Sequence, residues 1–322
     1  MSRPPFAASA AVSKSENSSL GVLYGIAAYG LWGLLPIYFV MLKPADSVEI
    51  VANRVLFSLV FCALLLTVTK GWPAFSHVVR SPRLLGTLAV AAVLIAINWL
   101  TYTYGVTTGH AIESSLGYFI NPLVSVLLGV LVLKERLRPL QWLAVGIGFA
   151  AVVELTVAYG QLPWIALVLA LSFGVYGFVK KRVGPRVTAV TSLSVETALL
   201  APIAAAVMVV LTLNGSATLG SAGAGHFWWM AASGVITAVP LLFFGASARR
   251  LSMTTIGLLQ YFAPVLQFLI AVLFLNEQMS LERWIGFGVV WLALLVLTID
   301  MLLTVRNHAA LRREAATAST ET

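Results

Sequence analysis

The sequence predicts an all-α polytopic membrane protein, and three observations carry that prediction. Apolar residues fill 60% of the 322 positions, charged residues fill only 10%, and the apolar residues gather into ten runs of about 20. An ordinary soluble domain carries about 25% charged residues, and one with so few could not cover its core. A mean hydropathy of +0.94 agrees. Soluble enzymes and nucleic-acid modules are excluded on this ground before any motif is read.

The runs fall at approximately 20–40, 49–69, 84–106, 111–133, 139–158, 162–180, 190–212, 226–248, 253–275 and 283–304. Each matches the ~20 residues a helix needs to cross about 30 Å of hydrocarbon. Barrel strands would be half as long and would alternate in polarity. The basic residues then orient the runs. With the N-terminus in the cytoplasm, the inner segments collect Arg3, Lys14, Lys70, Arg80, Arg83, Lys134, Arg136, Arg138, Lys180, Lys181, Arg182, Arg186, Arg249, Arg250, Arg306, Arg312 and Arg313. Those are 17 of the 20 basic residues; Lys43 and Arg283 fall outside and Arg54 lies within a span. The net charge of +8 is thereby a topology signal, with both termini expected inside, and not a nucleic-acid footprint. Residues 1–18, small and Ser-rich with no compact apolar core, are expected to form a disordered cytoplasmic tail, and 306–322 a second cytoplasmic tail.

A shift of 142 residues superimposes the two halves. Tyr118-Phe119-Ile120-Asn121-Pro122 meets Gln260-Tyr261-Phe262-Ala263-Pro264, Glu135 meets Glu277, Trp142 meets Trp284, and Gly146 meets Gly288. Arg54 lands on Glu196 and Asn98 on Pro240. The expected organisation is one five-helix repeat over 19–158 and a second over 159–305. Because five is odd, the second copy enters the membrane with the opposite orientation. Inverted repeats of this kind recur in transporters and place the site between the halves near the midplane.

Charges inside a bilayer cost about 2.5–3.5 kcal/mol or more at its centre, so each needs a reason. Three stand out: Arg54, Glu113 and Glu196. Arg54 and Glu113 both belong to the outer half of the membrane, their depths differing by about 4–5 Å at 1.5 Å per residue. They are expected to pair or to share an outer vestibule, with a packing salt bridge as the alternative. Glu196 belongs to the inner half, either as a proton site for coupled transport or neutralised by Lys180, Lys181 or the Arg249-Arg250 pair. Pro122 and Pro264 are expected to break their helices near mid-span, each removing a backbone donor. Asn98, Trp99, Tyr102, Tyr118, Asn121, Gln260, Tyr261 and Gln267 are candidates to line a cavity for a flat, partly polar organic solute. Taken singly, each also reads as a helix-to-helix hydrogen bond worth less than about 1 kcal/mol. Glu135 and Glu277 read as helix-end anchors, and Gly21/Gly25 and Gly105/Gly109 as weakly informative close-approach pairs.

Other motifs fail on context. Gly146-Ile147-Gly148-Phe149-Ala150-Ala151 has the G-x-G-x-x-A form but lies inside a span with no preceding strand. No phosphate-binding G-x-x-x-x-G-K-[ST] occurs, His110 and Glu113 lack a third metal ligand, and Cys62 is single. No cofactor and no metal are expected.

The chain resembles the RarD branch of the EamA family, within the drug/metabolite transporter superfamily. The residues that carry the resemblance are Ser115-Leu116-Gly117-Tyr118-Phe119-Ile120-Asn121-Pro122-Leu123, Lys134-Glu135-Arg136 and Gln141-Trp142-Leu143-Ala144-Val145. Ala27-Ala28-Tyr29 with Trp32-Gly33, Ala92-Val93-Leu94-Ile95 with Asn98-Trp99-Leu100, and Val239-Pro240-Leu241-Leu242 agree. The likeness covers roughly residues 20–305 and implies a secondary carrier in the cell membrane, exporting a small organic metabolite or drug; its association with chloramphenicol sensitivity is a phenotype and not a mechanism. The expected partners are that solute and the lipid bilayer, without nucleic acid, and with a homodimer left open. A non-transporting sensor or scaffold, and more remotely a membrane-embedded enzyme, stand as alternatives.

Overall fold

In the computed structural model, residues 5–133, 137–160, 162–183, 186–248, 250 and 259–318 are described. Regular structure among them is entirely helical. The helices are α1 (Pro5–Gly33), α2 (Leu35–Met41), α3 (Ser47–Val68), α4 (Trp72–Val79), α5 (Pro82–Thr107) and α6 (Ala111–Leu133). They continue with α7 (Pro139–Tyr159), α8 (Trp164–Val183), α9 (Ala189–Leu213), α10 (Ala224–Ala248), α11 (Phe262–Leu273) and α12 (Leu281–Ala318). Among the described residues, seven stretches are long and apolar enough to cross a membrane: 19–41, 47–68, 82–107, 139–157, 189–213, 224–244 and 281–300. Helix also occupies the other three apolar runs, at α6, α8 and α11. The protein is thus a polytopic, all-helical membrane protein.

Polarity is distributed as a bilayer demands. Ser58, Thr103, Ser114, Ser115 and Thr197 are fully buried, whereas Val68, Phe149, Val157, Leu213 and Phe274 point outward. Helix ends are closed locally. The Asp46 carboxylate accepts from the Glu49 backbone N–H (2.7 Å) to cap α3, and the Thr188 hydroxyl accepts from Thr191 N–H (3.2 Å) to cap α9. These two caps are 142 residues apart, so the repeat register extends to backbone detail.

Contacts between helices follow the same exchange. Three runs pack against the run five later: α3 on α9, α6 on α11 and α7 on α12. The remaining large contacts occur in reciprocal pairs. α6 on α8 answers α11 on α1, α5 on α8 answers α10 on α1, and α10 on α3 answers α5 on α9. Close approach depends on small residues: a Cβ on Gly234 in α10 would sit 2.4 Å from the Phe57 carbonyl oxygen of α3. Of the proposed close-approach glycines, Gly105 packs against Ser114 and Ile165, but Gly109 meets nothing and instead turns the chain at φ +80°.

Three expectations need correction. Helix begins at Pro5 and runs unbroken into the first span, where a disordered tail is expected. The segment contains no Gly, and Pro5 sits in the first turn, where a missing N–H costs nothing. Pro122 does not break its helix, since α6 continues through it. Pro264 falls in the first turn of α11, again a tolerated position, while residues 251–258 of that run lie outside the described residues.

The break that does occur lies in the first span, between Gly33 and Leu35. Pro36 has no N–H to offer the Trp32 carbonyl four residues back. Gln267 of α11 supplies it instead, its Nε2 donating to Trp32 O at 3.1 Å.

Candidate functional site

The buried charges resolve into three kinds of site. At one end of the bundle, three carboxylates each bind backbone N–H groups across the two halves. Glu49 at the start of α3 accepts from Thr218 N (2.7 Å), Leu219 N (2.8 Å) and the Thr218 hydroxyl (2.8 Å) in the α9–α10 loop. Glu113 at the start of α6 accepts from Ile165 N (3.0 Å) at the start of α8. Glu277, after α11, accepts from Ala111 N (2.6 Å) and Ile112 N (2.9 Å) at the start of α6. The last two place a negative charge where a helix exposes its unpaired N–H groups and the positive end of its dipole. Glu277 is thus the helix-end group the sequence suggests; its repeat partner Glu135 lies outside the described residues.

At the opposite end, Glu196 of α9 is fully buried and fully engaged. Its Oε1 takes the Lys180 ammonium at 2.5 Å and the Ser192 hydroxyl at 2.8 Å, and its Oε2 accepts from the Tyr176 hydroxyl at 3.1 Å. Lys180 also donates to Ser192 and lies against the Tyr176 ring. Of the neutralising cations open to Glu196 in the sequence, Lys180 is the one it pairs with among the described residues; the Lys181 side chain and Arg249 lie outside them. Arg138 and Asp300 form a second ion pair at 3.1 Å.

Between these ends lies Arg54, and it does not pair with Glu113. About two turns into α3, it is buried, 5% exposed. Its Nε donates to the Thr237 hydroxyl of α10 at 2.7 Å. The guanidinium carbon stands 4.3 Å from the centre of the Trp99 ring and 5.7 Å from that of Phe39, both within cation–π range. Phe39, Tyr102 and Tyr118 form a chain of ring contacts, with centroids 5.8 and 5.5 Å apart. Among the described residues no carboxylate faces Arg54, and both terminal nitrogens lack a hydrogen-bond partner.

The polar groups around this cage hold it in place. Asn98 accepts from the Tyr118 hydroxyl (2.9 Å) and donates to Ser172 Oγ (3.1 Å) and Leu169 O (3.2 Å), linking α5, α6 and α8. Tyr38 donates to the Trp229 carbonyl of α10 at 2.8 Å. The Tyr102 hydroxyl is buried and has no partner among the described residues. The structure therefore gathers four of the eight cavity candidates, Asn98, Trp99, Tyr102 and Tyr118, around Arg54. The other four lie elsewhere: Gln267 on the first-span break, Asn121 beside Gly174, and Gln260 and Tyr261 half-buried in the turn before α11. A groove of about 380 Å³ opens on the flank between α3 and α9, lined by Asn53, Phe57, Met208 and Leu213.

Sequence reasoning missed Tyr38, Thr237 and Glu49. Pro36 is a local signal that the first helix is interrupted near Tyr38. No local signal ties Thr237 to Arg54, 183 residues away. Glu49, at the edge of an apolar run, looks like any solvated helix-end acid until its loop partner is known.

A bundle of apolar helices in two exchange-related halves, closed around a buried cation, defines an integral membrane protein with a polar locus at its internal interface. The model of the EamA-like transporter family matches the chain twice, over residues 19–157 and 163–299. Protein RarD of Streptomyces exfoliatus is 48% identical over 94% of this chain and 96% of its own length. An uncharacterized transporter of Pseudomonas aeruginosa is 42% identical over 89% and 95%. One crystal structure of a protein shares the fold at a TM-score of 0.60 and 19% identity, over 88% of this chain and 99% of its own. The chain belongs to the EamA-like transporter family, in its RarD branch.

Proposed function

We propose that this chain is a secondary carrier that moves a small organic solute across the plasma membrane by alternating access, the two halves rocking about the Arg54 locus. The observation that carries the reading is the composition of that locus. Phe39, Arg54, Trp99, Tyr102 and Tyr118 come from the first half, while Thr237 and the Trp229 carbonyl that hold Arg54 and Tyr38 come from the second. Relative motion of the halves must therefore open and close it.

In this reading ten spans cross the membrane with both termini cytoplasmic, as repeats over 19–158 and 159–305 flanked by cytoplasmic tails. The double family match and the reciprocal helix contacts support the repeats. The side-chain ties support the topology. Glu49–Thr218, Glu113–Ile165 and Glu277–Ala111 join segments that ten alternating spans put outside, and Lys180–Glu196 and Arg138–Asp300 join segments they put inside. Arg54 then lies about 10 Å below the outer end of α3, at 1.5 Å per residue. Export is the proposed direction, as the family resemblance implies.

The test is flux. Purified protein in liposomes, loaded with a metabolite extract with and without an imposed pH gradient, is expected to release at least one component faster than empty liposomes. Release indistinguishable from empty liposomes under every condition would sink the carrier reading.

A further inference from the structure

We infer that Arg54 is the anion-binding group of the transport site, and that the solute is a small organic anion with a flat apolar body, its carboxylate on the Arg54 guanidinium and the Tyr102 hydroxyl. The inference rests on the carrier reading and narrows it to a substrate class.

A guanidinium carries five N–H donors and stays charged, and a buried charge is stable only when paired and hydrogen-bonded. Among the described residues Arg54 has one hydrogen bond, from Nε to Thr237, and its guanidinium carbon lies over the Trp99 and Phe39 rings. The two terminal nitrogens are left over, in the fork geometry that matches a carboxylate in a bidentate manner. Glu113, the nearest acid by depth in the sequence, is spent on Ile165 N, and Glu49 on the α9–α10 loop. The buried, unpartnered Tyr102 hydroxyl is a second and independent sign. A phenol O–H in that position can donate to an anion, and nothing described occupies it.

The rest of the cage selects the body of the solute. Trp99, Phe39 and Tyr118 offer ring faces and edges, which favour a planar apolar group over a hydrated inorganic ion. Asn98 is already committed to Tyr118, Ser172 and Leu169, so it fixes the Tyr118 ring and leaves no free amide for a sugar-like polyol. Thr237 and Trp229 close the locus from the second half, and an anion reaches Arg54 once the halves part.

The experiment compares solutes of one shape and different charge on the full chain in liposomes. Benzoate, benzamide and benzylamine are offered singly, with chloride and inorganic phosphate as bodiless anions and the metabolite extract as a general flux control. Wild type is expected to carry benzoate at least tenfold faster than benzamide or benzylamine, and benzoate, unlike chloride or phosphate, is expected to raise its melting temperature. Arg54→Gln is expected to lose the preference for benzoate, Arg54→Lys to keep part of it, and Tyr102→Phe to weaken benzoate flux severalfold. Equal flux of benzoate and benzamide, faster flux of benzylamine, or equal protection by chloride or phosphate would overturn the inference. Extract flux with no benzoate flux overturns the anion assignment while leaving the carrier reading intact; no flux of any component overturns both. The wild-type arms decide the matter even if a variant fails to fold.

Discussion

Arg54 and Glu196 occupy the same place in the two halves, 142 residues apart, and meet opposite fates. Glu196 is closed off by Lys180, Ser192 and Tyr176, with both carboxylate oxygens bonded. Arg54 has a hydroxyl, aromatic faces and no acid among the described residues. The repeat preserves the packing position, α3 against α9, and leaves the chemistry free to diverge. One copy is a finished ion pair that holds helices together, and the other is a charge kept incomplete.

The largest expected effect comes from Arg54→Gln. Solute flux in liposomes should fall at least tenfold, while the melting temperature in detergent stays level or rises, because removing an unpaired buried charge is not destabilising. Joint loss of flux and stability would make Arg54 as structural as Glu196 and erase the contrast. Glu196→Gln should do the reverse. It leaves Lys180 without its counter-charge, but the Lys180 side chain is 26% exposed and can turn to solvent. A loss of about 1–3 kcal/mol on thermal unfolding is expected, below the 3–5 kcal/mol of a fully buried pair. The pH-gradient dependence of flux should be unchanged, and its disappearance would reassign Glu196 to proton coupling.

Two smaller effects sharpen the comparison. Gln267→Leu removes the donor to Trp32 O and should cost about 1–2 kcal/mol, read from the melting temperature, since it leaves a buried carbonyl unsatisfied. The double variant Lys180→Met, Glu196→Leu should come within about 1 kcal/mol of wild type, because an apolar pair of similar volume replaces a buried ion pair at little cost. A loss larger than that of Glu196→Gln alone would show that the ion pair does more than hold two helices.

The membrane class, the helical content and the family were legible in the sequence, because hydropathy over 20 residues and short local motifs are local signals. Each of the ten apolar runs contains helix among the described residues. The three intramembrane charges were also visible as exceptions, but their partners were not. Depth alone suggested Arg54 with Glu113, whereas the structure gives Arg54 to Thr237 and Glu113 to the start of α8. Depth fixes one coordinate, and the azimuth around each helix, which decides who faces whom, comes from packing. The prolines failed for a related reason. A proline's consequence depends on whether its missing N–H falls in the first turn, as at Pro264, or opposite a carbonyl that must find another donor, as at Pro36.

The interrupted first span gives that last detail a mechanical meaning. Its joint, between Gly33 and Leu35, is held by an amide that the other half extends across the interface, Gln267 on Trp32 O. Tyr38 and Phe39, which flank Arg54, lie just beyond the joint. In the proposed rocking of the halves, sliding α11 away would withdraw the amide and release the carbonyl, freeing the short segment that carries those two rings. A displacement in the second half would thereby reach, through one hydrogen bond, the wall around the buried cation.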